Sequence, residues 1–293
     1  MRNNIDGARQ IIYKHTEAKD LSMHEKNLKL EYKFFEKYID REENHKKYSF
    51  PYNKEYDRYK DIKPYYFNFI GINNGNNHYI NSSPINIFND KYFIATQGPK
   101  KKTIDDFWTM IFENNCKVIV MLCNVIEEGK QKCENYWDLS EESNYQINKS
   151  EENKGKYIIR ELEITSKATN ENRKVTQLHF LEWPDKGVTE VKDSKNFECF
   201  EEMIKYVESH RENNPVVVHC SAGVGRTGTF ISMYCLYKEI KKQIEDENEN
   251  IIQFNVFNLV RKLKEMRKLS VQTFEQYQFI YKFTEYILKK YNK

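Results

Sequence analysis

The sequence predicts an α/β fold: a mixed central β-sheet flanked by helices, with a glycine-rich, cysteine-containing loop between a strand and a helix. Three observations carry this. Strand-like runs dominate the first two-thirds of the chain and helical spacing the last third. Lys117 to Cys123, KVIVMLC, is a short continuous apolar run, as expected of a strand buried on both faces. Val216 to Phe230, VVVHCSAGVGRTGTF, passes from a β-branched run through small residues into a segment that can continue as a helix.

The elements follow in order. Residues 1–24 are polar and read as an N-terminal arm, leaving 25–293 as the folded domain. From Leu28, LKLEYKFFEKYI has the pattern of an amphipathic helix. Thr103 followed by Asp106 reads as a capping box ahead of a helix carrying Phe107, Trp108 and Ile111. Residues 139–156 are nearly all polar and predict an exposed loop. Tyr157 to Thr165 and Lys174 to Phe180, separated by Asn170-Glu171-Asn172, predict an antiparallel pair. Phe197, Phe200, Ile204 and Val207 form an apolar helical stripe, and Val256, Val260, Leu263 and Met266 form another. KKQIEDENEN, residues 241–250, reads as a solvated link between helices, and the aromatic-rich segment from Thr273 as a last helix.

Composition narrows the function classes. The 293 residues are 39% hydrophobic and 14% aromatic, enough for a sizeable core despite a mean hydropathy of -0.86. The 47 basic and 44 acidic residues leave a net charge of +3, too balanced for a nucleic-acid or anionic-membrane binder. Cysteines at 116, 123, 133, 199, 220 and 235 show no C-x-x-C spacing, which predicts reduced thiols, no metal and no cofactor. No apolar segment reaches membrane length, so the expectation is a cytoplasmic monomer.

The glycine loop admits two chemistries. Gly223-Val224-Gly225-Arg226-Thr227-Gly228 has the G-x-G-x-x-G spacing of a dinucleotide-binding turn, but no second strand ending in an acid follows it. A P-loop would need a Lys that is absent. The thiol reading uses more residues. Small side chains at Ser221, Ala222, Gly223 and Gly225 let amides converge on one tetrahedral oxyanion. The following helix aims its positive end there, and Arg226 can grip two oxygens. The same groups depress the Cys220 pKa. Taken alone, Cys220 would be a structural thiol, as the other five cysteines are read.

His219 to Gly228 resembles the signature loop of phosphotyrosine-specific protein tyrosine phosphatases. So do Asp57 to Ile62 (the phosphotyrosine-recognition loop), His78 to Ser83, Thr96 to Pro99, Phe107-Trp108, Glu127 through Lys132-Cys133 to Tyr136-Trp137, Trp183-Pro184-Asp185, and Gln272-Thr273 with Gln276-Tyr277. Departures are Lys186 for the usual His, His78 for Asp and Ser82 for Ala. The resemblance implies a highly twisted mixed sheet and proteins bearing phosphotyrosine as partners. It makes Cys220 the nucleophile, Asp185 the general acid and base, Arg226 with the amides of Ser221, Ala222, Gly223, Val224 and Gly225 the phosphate cradle, Thr227 a donor to the thiolate, and Gln272 the residue that positions water. It makes Tyr59 the wall of a deep pocket, Asp61 an anchor for peptide backbone and Lys60 a contact for acidic flanks. Supporting roles fall to His219, Glu127, Lys132, Trp183 and Gln276. A phosphotyrosine-binding pseudophosphatase and a dual-specificity phosphatase remain alternatives.

Overall fold

The computed structural model describes residues 25–72, 78–87, 92–184, 187–188, 195–245 and 254–291. Helix α1 (Glu25–Phe34) buries Leu28 and Tyr32 and runs into a π-helical turn at Phe35–Ile39, followed by α2 (Glu42–Tyr48). β1 (Ile70–Ile72) and β2 (His78–Ile80) form a small antiparallel pair. Next come β3 (Ser82–Ile85), β4 (Phe93–Thr96), α3 (Ile104–Glu113), β5 (Val118–Met121) and the hairpin of β6 (Ile126–Glu127) with β7 (Lys130–Gln131). The long strands β8 (Tyr145–Asn153), β9 (Tyr157–Ser166) and β10 (Asn172–Phe180) precede α4 (Lys195–His210). β11 (Val216–His219) leads into α5 (Gly225–Glu245), α6 (Val256–Met266) and α7 (Phe274–Tyr291).

One twisted, mixed seven-stranded sheet runs in the order β3-β4-β11-β5-β10-β9-β8, flanked by helices. β11 lies parallel between β4 and β5, and β10 is parallel to β5, while β3, β9 and β8 are added antiparallel. The parallel centre is apolar on both faces, as a strand covered twice must be: every residue of β4, β5 and β11 is buried. α5 is correspondingly buried from Gly225 to Tyr237, packing against α4, α6 and α7. Because β4, β11, β5 and β10 share one direction, their carboxyl ends open at one edge of the sheet, the position where α/β sheets bind ligands.

The antiparallel pair and the helical stripes stand as the pattern predicts: β9 and β10 pair from Asn172 opposite Thr165 to Phe180 opposite Tyr157. Phe197, Phe200, Ile204 and Val207 are buried on α4. Two expectations are corrected. The polar stretch 139–156 contains β8, which pairs along its length with β9. An edge strand is held by its backbone ladder alone and carries charge on both faces, so it shows no apolar alternation. Thr103 does not cap α3 with its side chain. Its Oγ1 accepts from the Lys100 amide at 3.0 Å and donates to the Lys100 carbonyl at 3.3 Å, closing the preceding 3₁₀ turn instead. The arm at 1–24 and most of the charged link lie outside the described residues.

Ile119 sits at the middle of this sheet, fully buried and paired on both sides. Ile119→Ala is expected to lower the unfolding free energy by about 2–5 kcal/mol in urea titrations. A loss under about 1 kcal/mol would contradict a close-packed parallel centre.

Candidate active site

Each parallel strand hands a segment to one end of the sheet. β11 ends at His219 and delivers Cys220; β4 ends at Thr96 and delivers Gln97-Gly98; β5 leads to Glu127; β10 leads to Trp183. The loop from Cys220 to Val224 turns sharply between β11 and α5. Gly223 makes the turn with φ +72°, and a Cβ there would lie 2.1 Å from the Thr96 carbonyl oxygen. Only glycine fits, on conformation and on space. The Gly98 amide donates to the Ser221 carbonyl at 2.9 Å, locking β4's extension to the loop.

Cys220 lies at the bottom of this turn and is only 3% exposed. Burial pushes its pKa up. The positive charge of Arg226, the hydroxyl and amide of Thr227 and the amide of Gly223 outweigh that and leave it below the ordinary thiol value. The Gly223 N–H donates to the sulfur at 3.3 Å. Thr227 Oγ1 is buried and has no nitrogen or oxygen partner among the described residues, so its proton is available to the sulfur. The contrast with other cysteines is chemical: burial, as the main cause, drives Cys116 and Cys199 up to about 12 and raises Cys123 and Cys235 as well.

Arg226, 3% exposed, is held from behind. Its Nη1 and Nη2 donate to the Glu127 carboxylate at 2.6 and 3.0 Å, and Nη1 also donates to the Trp183 carbonyl at 3.0 Å. Burial opposes the guanidinium charge, but Glu127 and the neighbouring sulfur overcome this and raise its pKa. Glu127, given a supporting role by the resemblance, thus takes it as the partner of Arg226. Trp183 packs among Phe180, Phe200 and Phe279 and donates its indole N–H to the Gly187 carbonyl at 3.1 Å. Asp185 and Lys186 lie outside the described residues.

Tyr59 reaches the loop directly, its hydroxyl 2.8 Å from Ser221 Oγ, while Lys60 and Asp61 are exposed beside it. Asp57 fixes this recognition loop by accepting from Tyr79 Oη and Asn81 Nδ2. Ser221 Oγ donates to the carbonyl of buried Lys132 at 2.9 Å. Gln272 and Gln276 face Gly225: a Cβ on that glycine would lie 3.3 Å from Gln272 Cβ and 3.0 Å from the Gln276 amide. Gln276 Oε1 accepts from the Gln272 amide at 2.9 Å, so one glutamine orients the other.

His219 is buried and neutral, its pKa lowered to about 3 mainly by loss of solvent. The Cys220 carbonyl only accepts, so Nδ1 at 3.1 Å carries the proton, and Nε2 accepts from Tyr136 Oη at 2.8 Å. Gln177 donates to that hydroxyl at 2.6 Å and accepts from Arg160 at 2.7 Å. Sequence reasoning found His219 but not this chain behind it. It also missed Arg267. That fully buried guanidinium donates to the Gly223 carbonyl at 2.7 Å, the Ala222 carbonyl at 3.2 Å and Asn81 Oδ1 at 2.9 Å. Turning these carbonyls outward turns the loop's amides inward. Nothing in RKLKEMRKLS marks Arg267 as different from the other basic residues beside it.

A buried low-pKa thiol, a glycine loop with inward amides and a bidentate arginine define a cysteine-dependent phosphate-ester site on an α/β sheet. Residues 53–286 match the family described as protein-tyrosine phosphatase, and the chain belongs to that family. It is 37% identical over 255 residues to the human (Homo sapiens) tyrosine-protein phosphatase non-receptor type 20, covering 82% of this chain and 56% of that protein. It is 37% identical over 248 residues to human (Homo sapiens) receptor-type tyrosine-protein phosphatase alpha, covering 81% and 30% respectively. A solved structure described as the basis of the PTPN18 fingerprint on distinct HER2 tyrosine phosphorylation sites superposes with a TM-score of 0.80 at 28% identity, covering 93% of this chain and 99% of that one. The chain spans about half the length of the non-receptor type 20 relatives it matches.

Gly223→Ala places a Cβ against the Thr96 carbonyl and must shift the loop. It is expected to weaken binding of inorganic phosphate or vanadate more than about tenfold by calorimetry, since losing one charge-assisted bond alone costs about 1.5–3 kcal/mol. Unchanged affinity would show that the loop amides do not form the anion site.

Proposed function

We propose that this domain, residues 25–293, hydrolyses phosphotyrosine in proteins through a phosphocysteine intermediate. The observation that carries the reading is the buried Cys220 thiol, whose pKa lies below the ordinary value because Arg226, Thr227 and the Gly223 amide surround it. In the first step the Cys220 thiolate attacks phosphorus, the S–P bond forms and the P–O bond to tyrosine breaks. Asp185 gives its proton to the departing phenolate oxygen. The amides of residues 221–226 and the Arg226 guanidinium take the three equatorial oxygens as their charge redistributes. In the second step water, oriented by Gln272, attacks phosphorus and gives a proton to Asp185, and the S–P electron pair returns to Cys220, stabilised by Thr227.

Selectivity for phosphotyrosine follows from depth. Cys220 is 3% exposed, and Tyr59 stands over the loop through Ser221, so only a long aromatic ester reaches the sulfur. Asp61 and Lys60, exposed at the rim, take peptide backbone and acidic flanking residues. The 1–24 segment is an arm outside this domain. Cytoplasmic residence completes the reading; among the described residues no helix is long and apolar enough to cross a membrane. The group needs no metal, because Arg226 and the amides supply the positive field.

Phosphate release from matched phosphotyrosine and phosphoserine peptides tests this. Turnover is expected with phosphotyrosine only and is abolished in Cys220→Ser, which still binds the peptide; turnover in that variant would overturn the nucleophile. Asp185→Ala is expected to slow peptide hydrolysis by about 10²–10⁴-fold and to spare activated aryl phosphates, as removal of a general acid does. The pH profile of kcat/KM follows from the sign of the Cys220 shift: activity rises as pH passes the lowered thiol pKa and falls as Asp185 loses its proton. His219, at about 3, contributes to neither limb above mildly acidic pH. A profile flat through the mildly acidic range would contradict the pair.

A further inference from the structure

The turn that carries Gln272 is backbone-strained and is propped from outside the matched family region. Leu269 and Val271 both adopt left-handed conformations, with φ 59° and 57°. For a β-branched residue such as Val271 that is a genuine outlier, which persists only where the surroundings over-determine it. The peptide groups on either side of Val271 are tied down. The Val271 amide donates to the Val224 carbonyl of the phosphate loop at 3.1 Å, and the Gln272 amide donates to Gln276 Oε1 at 2.9 Å. The Val271 carbonyl accepts from two groups behind the site: Tyr32 Oη on α1 and Lys264 Nζ on α6, both at 3.3 Å.

Lys264 is itself held. Its ammonium is fully buried, lies 5.6 and 5.4 Å from the ring centres of Tyr32 and Phe35, and donates to Asp40 Oδ2 at 2.6 Å. A buried ammonium needs such a partner, and here the carboxylate comes from just after the π-helical turn that ends α1. The rest of α1 is anchored to α7 through Glu31, which accepts from Tyr277 and Tyr281 at 2.5 and 3.0 Å. Tyr32 and Asp40 both precede the family region, which begins at residue 53.

We propose that Tyr32, Asp40 and Lys264 are positioning residues for the second chemical step: a strut from the N-terminal helix that fixes the Val271–Gln272 peptide and thereby the side chain that aims water at the phosphocysteine. This rests on the role given above to Gln272. The three strut residues touch neither the thiol nor Arg226, and the peptide they fix carries the one side chain used only in the second step, so their effect falls chiefly on dephosphorylation of Cys220. In that step the water oxygen bonds to phosphorus, its proton passes to Asp185 and the S–P bond returns its electrons to sulfur. A loosened Val271 carbonyl leaves these bonds unchanged but lets Gln272 wander from the water.

Stopped-flow hydrolysis of p-nitrophenyl phosphate, with acid-quench trapping of phosphoenzyme, separates the two steps. Tyr32→Phe removes one hydroxyl from a packed ring, Lys264→Met replaces the ammonium with an apolar chain of similar length, and Gln272→Ala serves as reference. In Tyr32→Phe and Lys264→Met the burst rate is expected to stay at the wild-type value while steady-state kcat falls roughly two- to tenfold, the worth of one or two hydrogen bonds, and trapped phosphocysteine rises. Should Lys264→Met not fold by thermal melting, Tyr32→Phe decides alone. Burst rate and kcat falling by the same factor, or neither changing, overturns the strut. Phosphocysteine accumulating in Gln272→Ala but not in the two strut variants overturns the strut and spares the Gln272 role. Accumulation in none of the three removes the Gln272 role, and the strut with it.

Discussion

A negative charge on a sulfur atom buried between a strand and a helix is the constraint around which this molecule is arranged. Burial by itself pushes the Cys220 thiol toward its protonated form, as it pushes up the buried thiols of Cys116 and Cys199 elsewhere in the fold. The reverse shift requires several positive groups in one place, and each must be held by something else. Arg226 is held by Glu127 and the Trp183 carbonyl, and the loop's carbonyls are held outward by Arg267. Gly223 gives up its side chain so that the turn can press on Thr96. The site is therefore an electrostatic balance distributed over the loop, β4, the β5–β6 link, the segment after β10 and the end of α6.

That distribution explains the sheet. Four adjacent parallel strands place their carboxyl ends together, so four separate segments reach one sulfur without long excursions. On the other side the antiparallel additions β9 and β8 widen the sheet away from the site, and the edge strand β8 tolerates polar sequence. The buried hydrogen-bond chain from Arg160 through Gln177 and Tyr136 to His219 ties that outer half to the Cys220 carbonyl, and its donors all point one way. A neutral His219 suits this arrangement, since an imidazolium would add a further buried cation beside Arg226 and Arg267.

Legibility in the sequence followed locality. The loop from His219 to Gly228 could be read because thiol, glycines and arginine lie within ten residues, and the buried strands because Val and Ile runs advertise themselves. Glu127, Tyr59, Gln272 and Gln276 were reachable only through the ordered motifs that resemble the phosphatase family, since alone Glu127 looks like a surface charge, Tyr59 like a core aromatic and the two glutamines like ordinary helix-start residues. Strand β8 was hidden because an edge strand needs no apolar alternation. The supporting arginine Arg267, with Tyr136 and Gln177 behind His219, was hidden because its importance comes from contacts across some tens of residues or more. The left-handed backbone at Val271 has no signal at all in the residue type, which argues against that conformation.

The most direct measurement is the ionisation of Cys220 itself, followed as the difference in thiolate ultraviolet absorbance between wild type and Cys220→Ser across pH. The account predicts a single transition well below the roughly 8.5 of a free cysteine, moving upward in Arg226→Ala. A transition at or above the free-cysteine value, or one unmoved by Arg226→Ala, would contradict it.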